Sequence, residues 1–453
     1  MAAITTSTLA GVLLRSYTRK DWFAPFERLK TPFLDSIEKF DNEAPLGVGR
    51  FFEIWLQDSH NTGSVAESGN LPSLDVPTVV QGQVTGIQVA ADFGLSELML
   101  SAGQGAGTFG RDVVKRLVLV TTRNLMTNIN RLTLGHGTAR LGVVNAGTTA
   151  ATTFVCKPPE LSFMAREGMR ISFYNTDTGG SIQDLDSGGG NVGTVKITYI
   201  NPATHTVTID FAATLTADWS FYQSLSATAA ATTASTTTYG VATNGLNGIV
   251  DNATYQGTIF TLLRSTYPDL NCQVIDSTPN LQPYSEALVR KAINLAYFAS
   301  GADTEALWCN RGIISEHLNS VVGDRRYNVP VDSGSVPSYK IGYDPKKLAF
   351  QYKGKDIPFN VDEDLPARTL YGVTTSLFKK HVLRDASWVG DNSGMDGSAS
   401  PILMQTPATD TYALSKIAGQ LWIGNIAHSS LKSNFVVRNV ADAELAGDVV
   451  VVP

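Results

Sequence analysis

Residues able to do chemistry are scattered through this chain rather than gathered into motifs. Gly105-Ala-Gly107-Thr-Phe-Gly110 satisfies the GxGxxG spacing and opens a helical stretch. A dinucleotide site on that spacing also needs a buried strand before it and a carboxylate about 20 residues on. The preceding SELMLSA is a poor strand, and TNINR downstream offers no carboxylate. An elbow ahead of the helix is the better reading. The six histidines, His60, His136, His205, His317, His381 and His428, lack metal-ligand spacing and read as surface or hydrogen-bonding residues. Asp362-Glu363-Asp364 could bind a cation, but three adjacent acids before Leu-Pro read as a solvated loop. Asp391–Gly397, DNSGMDG, has its acids misplaced for a calcium loop. Asp184 and Asp186 beside Gly188–Gly190 read as turn residues. A pair of acids could be posed as a glycosidase dyad, yet nothing selects one pair. No GxxxxGK[ST], HExxH, CxxC or GxSxG occurs. The expectation is a chain with no catalytic residues, no cofactor and no metal.

The elements that would have to position such residues are more distinctive than the residues themselves. Phe109 to His136 reads as one long helix. Thr108 is a plausible N-cap, Asp112 suits the first turn, and Gly135 and Gly137 stop it. Val113, Leu117 and Val120, with Val118, Leu125, Ile129 and Leu132, recur at helical spacing. The rod would be roughly 40 Å long, longer than the usual helix of a compact domain.

Composition limits the classes. The chain has 453 residues, 43% hydrophobic and 17% charged, with 40 glycines and a net charge of −6. That is enough for two or three cored domains with an uncharged surface or large interfaces. An acidic balance argues against coating nucleic acid through its phosphates. Cys156, Cys272 and Cys309 are few and far apart, which suggests a reducing compartment without disulfides or zinc. No apolar run reaches the roughly 20 residues of a membrane span.

Residues 1–20 hold no acid and carry Arg15, Arg19 and Lys20 behind an apolar patch. A transit peptide can have this composition; an assembly arm fits better. Trp22, Phe23, Phe26, Phe33 and Phe40 then crowd a short segment that wants a partner surface, in another copy or its own. From Phe51 the period changes to two, with Phe51, Glu53, Trp55 and Gln57 on one face and Phe52, Ile54 and Leu56 on the other. A polar tip and a second strand-like run complete a β-hairpin, which cannot stabilise itself alone in water. Residues 51–95 carry Glu53, Asp58, Glu67, Asp75 and Asp92 and no Lys or Arg, whereas the long helix carries Arg111, Lys115, Arg116, Arg123 and Arg131 against Asp112 alone. Complementary charge of this kind registers one subunit on another.

Residues 143–243, rich in Thr, Ala and Gly, hold evenly spaced short strands and suggest an immunoglobulin-like sandwich or a small barrel. Tyr284–Ala299 reads as a helix, ALWCN as a short strand and RGIISEHLNSV as a helix. Residues 339–384 alternate and carry a basic excess, and the last segment, YALSKIAGQLWIGNIAHSSLKSNFVVRNV, reads as strands closing a sheet.

This order, with the strings LTLGHGTARLG (Leu132 to Gly142), TNGLNGIVDNATYQGTIF (Thr243 to Phe260) and LWIGNIAHSSLKSNFVVRNV, resembles the major capsid proteins of tailed bacteriophages with the Hong Kong 97-type fold. The resemblance covers nearly the whole chain outside 143–243. It implies an α+β fold with an N-terminal arm (1–49), an extended loop (50–100) and a peripheral domain with a spine helix (101–142). A β-rich insertion domain (143–243), an axial domain (244–385) and closing peripheral strands (386–453) would follow. It also implies an icosahedral shell of pentamers and hexamers, assembled in the host cytoplasm, that encloses double-stranded DNA without reading its sequence. Portal and decoration or scaffolding proteins would be its partners. The contacts between copies would use Trp22, Phe23, Phe26, Glu53, Asp58, Glu67, Asp75, Arg111, Lys115 and Arg116. Some relatives cross-link through a lysine in the extended loop; this loop has none. A carbohydrate-binding or carbohydrate-active protein, with 143–243 as the binding module, is the alternative from another class. A nanocompartment shell of the same fold is a third.

Overall fold

The computed structural model describes residues 31–40, 50–57, 64, 78–96, 109–157, 164–175, 182–186, 192–201, 203–224, 242–278, 280–322, 349–388, 404–407 and 412–443; for 55, 57, 95–96, 109–116, 320–322, 351, 404–407 and 412–417 the backbone alone is described. In chain order, helix α1 (Pro32–Ser36) and strand β1 (Glu38–Lys39) precede the hairpin β2 (Arg50–Gln57) and β3 (Thr78–Val84). Strand β4 (Ile87–Ser96) and helix α2 (Phe109–Leu134) follow. Next come β5 (Arg140–Val143), β6 (Thr148–Val155), β7 (Arg170–Tyr174), β8 (Val195–Asn201), β9 (Thr206–Leu215) and β10 (Ser220–Gln223). A short helix α3 (Leu246–Ile249) leads to β11 (Thr258–Ile259), β12 (Leu262–Leu263) and β13 (Gln273–Asp276). Helix α4 (Glu286–Ser300), β14 (Ala306–Cys309) and helix α5 (Arg311–Val322) precede β15 (Ala349–Tyr352), β16 (Lys355–Val361) and β17 (Thr369–Val373). The chain closes with β18 (Phe378–Trp388), β19 (Met404–Pro407), β20 (Tyr412–His428) and β21 (Phe435–Arg438).

These elements fall into two units. The smaller takes 85–133 and 380–426 together with the residues before 50. Its sheet runs β1-β18-β20-β19, with β4 also paired along β20. The 26-residue α2 is the long helix read from the sequence. Leu125, Ile129 and Leu132 are buried, and Thr122 Oγ1 accepts a 2.9 Å hydrogen bond from Gln420 Nε2 of β20. The apolar stripe is therefore real in its second half. Val120, assigned by spacing to that stripe, is exposed together with Leu119.

The larger unit has a mixed six-stranded sheet in the order β13-β21-β17-β14-β16-β15, parallel at β13–β21 and β14–β16 and antiparallel elsewhere. Helix α4 lays Leu288, Val289, Ala292, Ile293 and Ala296 into its core, at the three- and four-residue spacing of one helical face. Ser285 caps the start, accepting from Leu288 N–H at 3.2 Å, and Gly301 ends the helix in the left-handed region at φ 72°.

Strands β5 to β10 form a second body of that unit. Their order is β5-β10-β7-β8-β9-β6, and a bridge between Val144 and Cys156 joins the two outer strands. Asn145 N–H donates to Val155 O at 2.9 Å and Lys157 N–H to Val143 O at 2.7 Å. The sheet is thus a closed antiparallel barrel. Phe154, Phe173 and Phe221 fill it, and its core draws only on residues between Leu141 and Phe221. Of the sandwich and barrel alternatives, the barrel is what forms. It begins at Arg140, three residues before the Thr-rich stretch itself.

Two sequence expectations need correction. The run after the hairpin tip is two strands rather than one: β3 pairs with β2, and after Thr85-Gly86 β4 pairs with β20 in another sheet. The closing segment likewise divides, β20 in one sheet and β21 in another.

Candidate functional site

The most perturbed ionisable groups are perturbed by burial and in the unreactive direction. Burial pushes the Cys272 thiol up to about 12 and raises that of Cys309 as well. A thiol needs its anion to act as a nucleophile, so at neutral pH both are core residues. Burial lowers His428 to about 3. Its Nδ1 accepts from Ser430 N–H at 3.1 Å, and its ring meets Phe378 edge-on with centroids 4.2 Å apart. Burial also lowers His317, whose Nδ1 lies 2.9 Å from the Tyr284 hydroxyl. Among the described residues, no group of three or more His, Cys, Asp or Glu side chains could hold a metal ion, and no helix is long and apolar enough to cross a membrane.

What the chemistry-bearing residues build is a buried polar centre in the larger unit. Asp251 and Arg438 pair at 2.7 Å with both side chains sealed from water. Asp251 Oδ2 also accepts from the N–H groups of Tyr255 and Gln256, at 2.8 and 3.2 Å. Arg264, 1% exposed, donates to the carbonyls of Asp251, Leu270, Gly248 and Ile249. The Tyr255 ring lies 4.6 Å from the Arg438 guanidinium and 5.7 Å from that of Arg140, with His136 stacked at 5.5 Å. Gly245 permits this convergence, because a Cβ there would lie 2.1 Å from Gly135 O. The centre thus draws together the end of α2, the first residue of β5, the segment from α3 to Leu270, and β21. It includes the residues of the Thr243–Phe260 string that carried the resemblance. Sequence reading saw the string and missed the centre, whose partners lie as far apart as 187 residues.

The acidic triplet is not a solvated loop. Asp362 and Asp364 are buried. Asp364 N–H donates to Asp362 Oδ1 at 2.9 Å, Glu363 pairs with Arg311 at 2.5 Å, and Asp364 pairs with Arg166. Asp184 is the turn residue expected, accepting from Asp186 N–H and Val192 N–H, both at 3.0 Å.

The residues expected to join copies are only partly within view. Trp22, Phe23, Phe26, Asp58, Glu67 and Asp75 lie outside the described residues, as does Thr108 with most of the GxGxxG stretch. Arg111, Lys115 and Arg116 fall in the first turns of α2, backbone only. Glu53 stands exposed on β2 beside Phe51, while Ile54 and Leu56 are buried, so the two faces of that strand divide as alternation requires. The buried face meets its own chain: Phe52 packs edge-on to Phe260 and Lys432 Nζ donates to Leu56 O at 2.7 Å. Arg131, counted with the basic face of the helix, is buried and bonded to Asn128. Elsewhere large apolar groups face outward, most of all Phe298 on α4 at 85% exposure.

Neither a protein-family model nor a curated protein sequence matches the chain. By its structure, however, the chain has a phage capsid-protein fold. The likeness that carries this is to a chain of the cyanophage A-1(L) capsid asymmetric unit, with a TM-score of 0.54 at 11% identity over 93% of this chain and 96% of that one. A chain of Mycobacterium phage Bobi (TM-score 0.41, 9% identity, 96% and 99% covered) and the capsid of a native GTA particle (0.42, 10%, 97% and 100%) are similar at lower scores.

Proposed function

We propose that this chain is the major capsid protein of a tailed bacteriophage, a non-enzymatic subunit that assembles into the closed shell around a double-stranded DNA genome. The observation that carries the reading is the likeness to the cyanophage capsid chain, which spans nearly the full length of both proteins. Composition agrees with it. A surface poor in charge, with Phe51, Leu119, Val120 and Phe298 facing outward, suits a chain whose remaining apolar faces are covered by copies of itself.

In this reading the fold is of the Hong Kong 97 type. Residues 1–49 are the arm, 50–100 the extended loop, and α2 the spine of a peripheral domain closed by 386–453. Residues 244–385, which supply every strand of the mixed sheet except β21, are the axial domain, and the barrel is an insertion domain. Copies form pentamers and hexamers in a virion assembled in the host cytoplasm, with a portal and separate scaffolding or decoration proteins as partners. An acidic chain suits a container that is filled with DNA rather than one that condenses it.

The acid-only stretch 51–95 and the basic start of α2 would register neighbouring copies. Reversing Arg111, Lys115 and Arg116 to Glu should abolish assembly and leave soluble, folded subunits, as read by analytical ultracentrifugation and circular dichroism. Particle yield equal to wild type would refute this role.

A further inference from the structure

We propose that Arg166 and Asp364 form a latch that fixes the angle of the barrel against the mixed sheet, so that breaking this one pair turns the barrel into a swinging body. The two bodies have separate cores with no residue in common. The root of the barrel is its first strand, where Arg140 stacks over Tyr255 beside Arg438. Among the described residues, this attachment leaves rotation about it open, since stacking at 5.7 Å between a guanidinium and a ring tolerates tilt. A second attachment away from the root removes that freedom.

Both ends of the second attachment are held by their own bodies. Arg166 follows Met164 and Ala165, which are buried in the barrel core, and its carbonyl accepts from Met169 N–H at 3.2 Å. The adjoining turn is tied to β8 through Gly168 N–H to Ile197 O and Ile197 N–H to Met169 O, each 2.8 Å. On the other side, Asp362 N–H donates to Cys309 O at 3.2 Å at the end of β14, and Leu365 and Ala367 are fully buried. Glu363 adds the ion pair to Arg311 at the start of α5. Asp364 is therefore presented on a rigid turn with its side chain 3% exposed, while the Arg166 side chain is 39% exposed. A carboxylate held that deep favours the one geometry in which the arginine meets it. Sequence separation of 198 residues makes the pair a tertiary tether rather than a local turn.

The test places nitroxide labels on the full chain at Tyr199→Cys in the barrel and Asp356→Cys on the mixed sheet, both exposed positions. The native cysteines are all buried, so labelling is directed to the new ones. Pulsed electron–electron resonance, with labelled chain diluted in unlabelled chain, reads the distance distribution whether or not the chain assembles. The latch predicts one narrow peak in the parent. That peak should be lost in Asp364→Asn and in Arg166→Gln, and kept in Arg166→Lys, which preserves the charge. Should Asp364→Asn fail to fold, Arg166→Gln decides alone, because its side chain is partly in solvent. A narrow peak that survives Arg166→Gln overturns the proposal, and so does a peak lost equally in Arg166→Lys and Arg166→Gln.

Discussion

Asp251 and Arg438 illustrate why the polar residues of this chain are structural. The cost of two fully desolvated charges at 2.7 Å is offset in part by the backbone N–H groups that donate to Asp251 and by the Tyr255 ring beside Arg438. Removing one partner from such a pair costs about 3–5 kcal/mol. His428 carries the same logic into pH dependence. Its ordinary value is 6.5 and burial holds it at about 3, so the folded state takes up its proton later than the unfolded state does. Between those limits the unfolded chain binds more protons, and stability falls as pH falls. At pH 5 the expected loss is about 2 kcal/mol relative to pH 7. Urea midpoints of the unassembled subunit between pH 5 and 8 should show this slope, and His428→Gln should flatten it even though its baseline stability is lower. Equal slopes in the two proteins would remove His428 as the origin.

At the level of elements, the barrel and the mixed sheet have separate cores, which makes excision informative. Removing the barrel, with a short glycine-serine linker in its place, should leave α2 and the mixed sheet folded. It also strips Arg166 from Asp364, so adding Asp364→Asn to the excised chain should raise its melting temperature. Aggregation of both chains with loss of the helical circular dichroism signal would show that the sheet depends on the barrel. Helices and local turns were legible in the sequence because their signals lie within a few residues: the periodicity of α2 and of Tyr284–Ala299, and Asp184 in its turn. Barrel closure was only half legible. Strand spacing predicts a β-rich body, but the Val144–Cys156 bridge that distinguishes a barrel from a sandwich is a register that composition does not encode. The split of the run after the hairpin tip was missed for a related reason. Both halves alternate well, and only the pairing partners reveal that Thr85-Gly86 divides two sheets. Asp362, Glu363 and Asp364 misled because adjacent acids ordinarily stay in water, and the arginine partners of Glu363 and Asp364 come from far along the chain.

Seen whole, the molecule buries the Asp251–Arg438 pair as a strut, leaves most of its other described ion pairs toward solvent, and turns several large apolar side chains outward. Phe298 and Leu119 leave much of their apolar surface in solvent, and together with the low charge they suit the proposed subunit, one completed by others. The candidate contacts named from the sequence came from composition contrasts and from resemblance. Of them Glu53 is seen exposed, whereas Arg131 of the wider basic face is spent on an internal bond. Electron micrographs of the purified, unmodified chain after expression by itself or with its neighbouring phage genes test the capsid account most directly. Closed shells of uniform diameter, with fivefold and sixfold clusters in their averages, are the result it predicts. A population of monomers or small discrete oligomers under both expression conditions would contradict it.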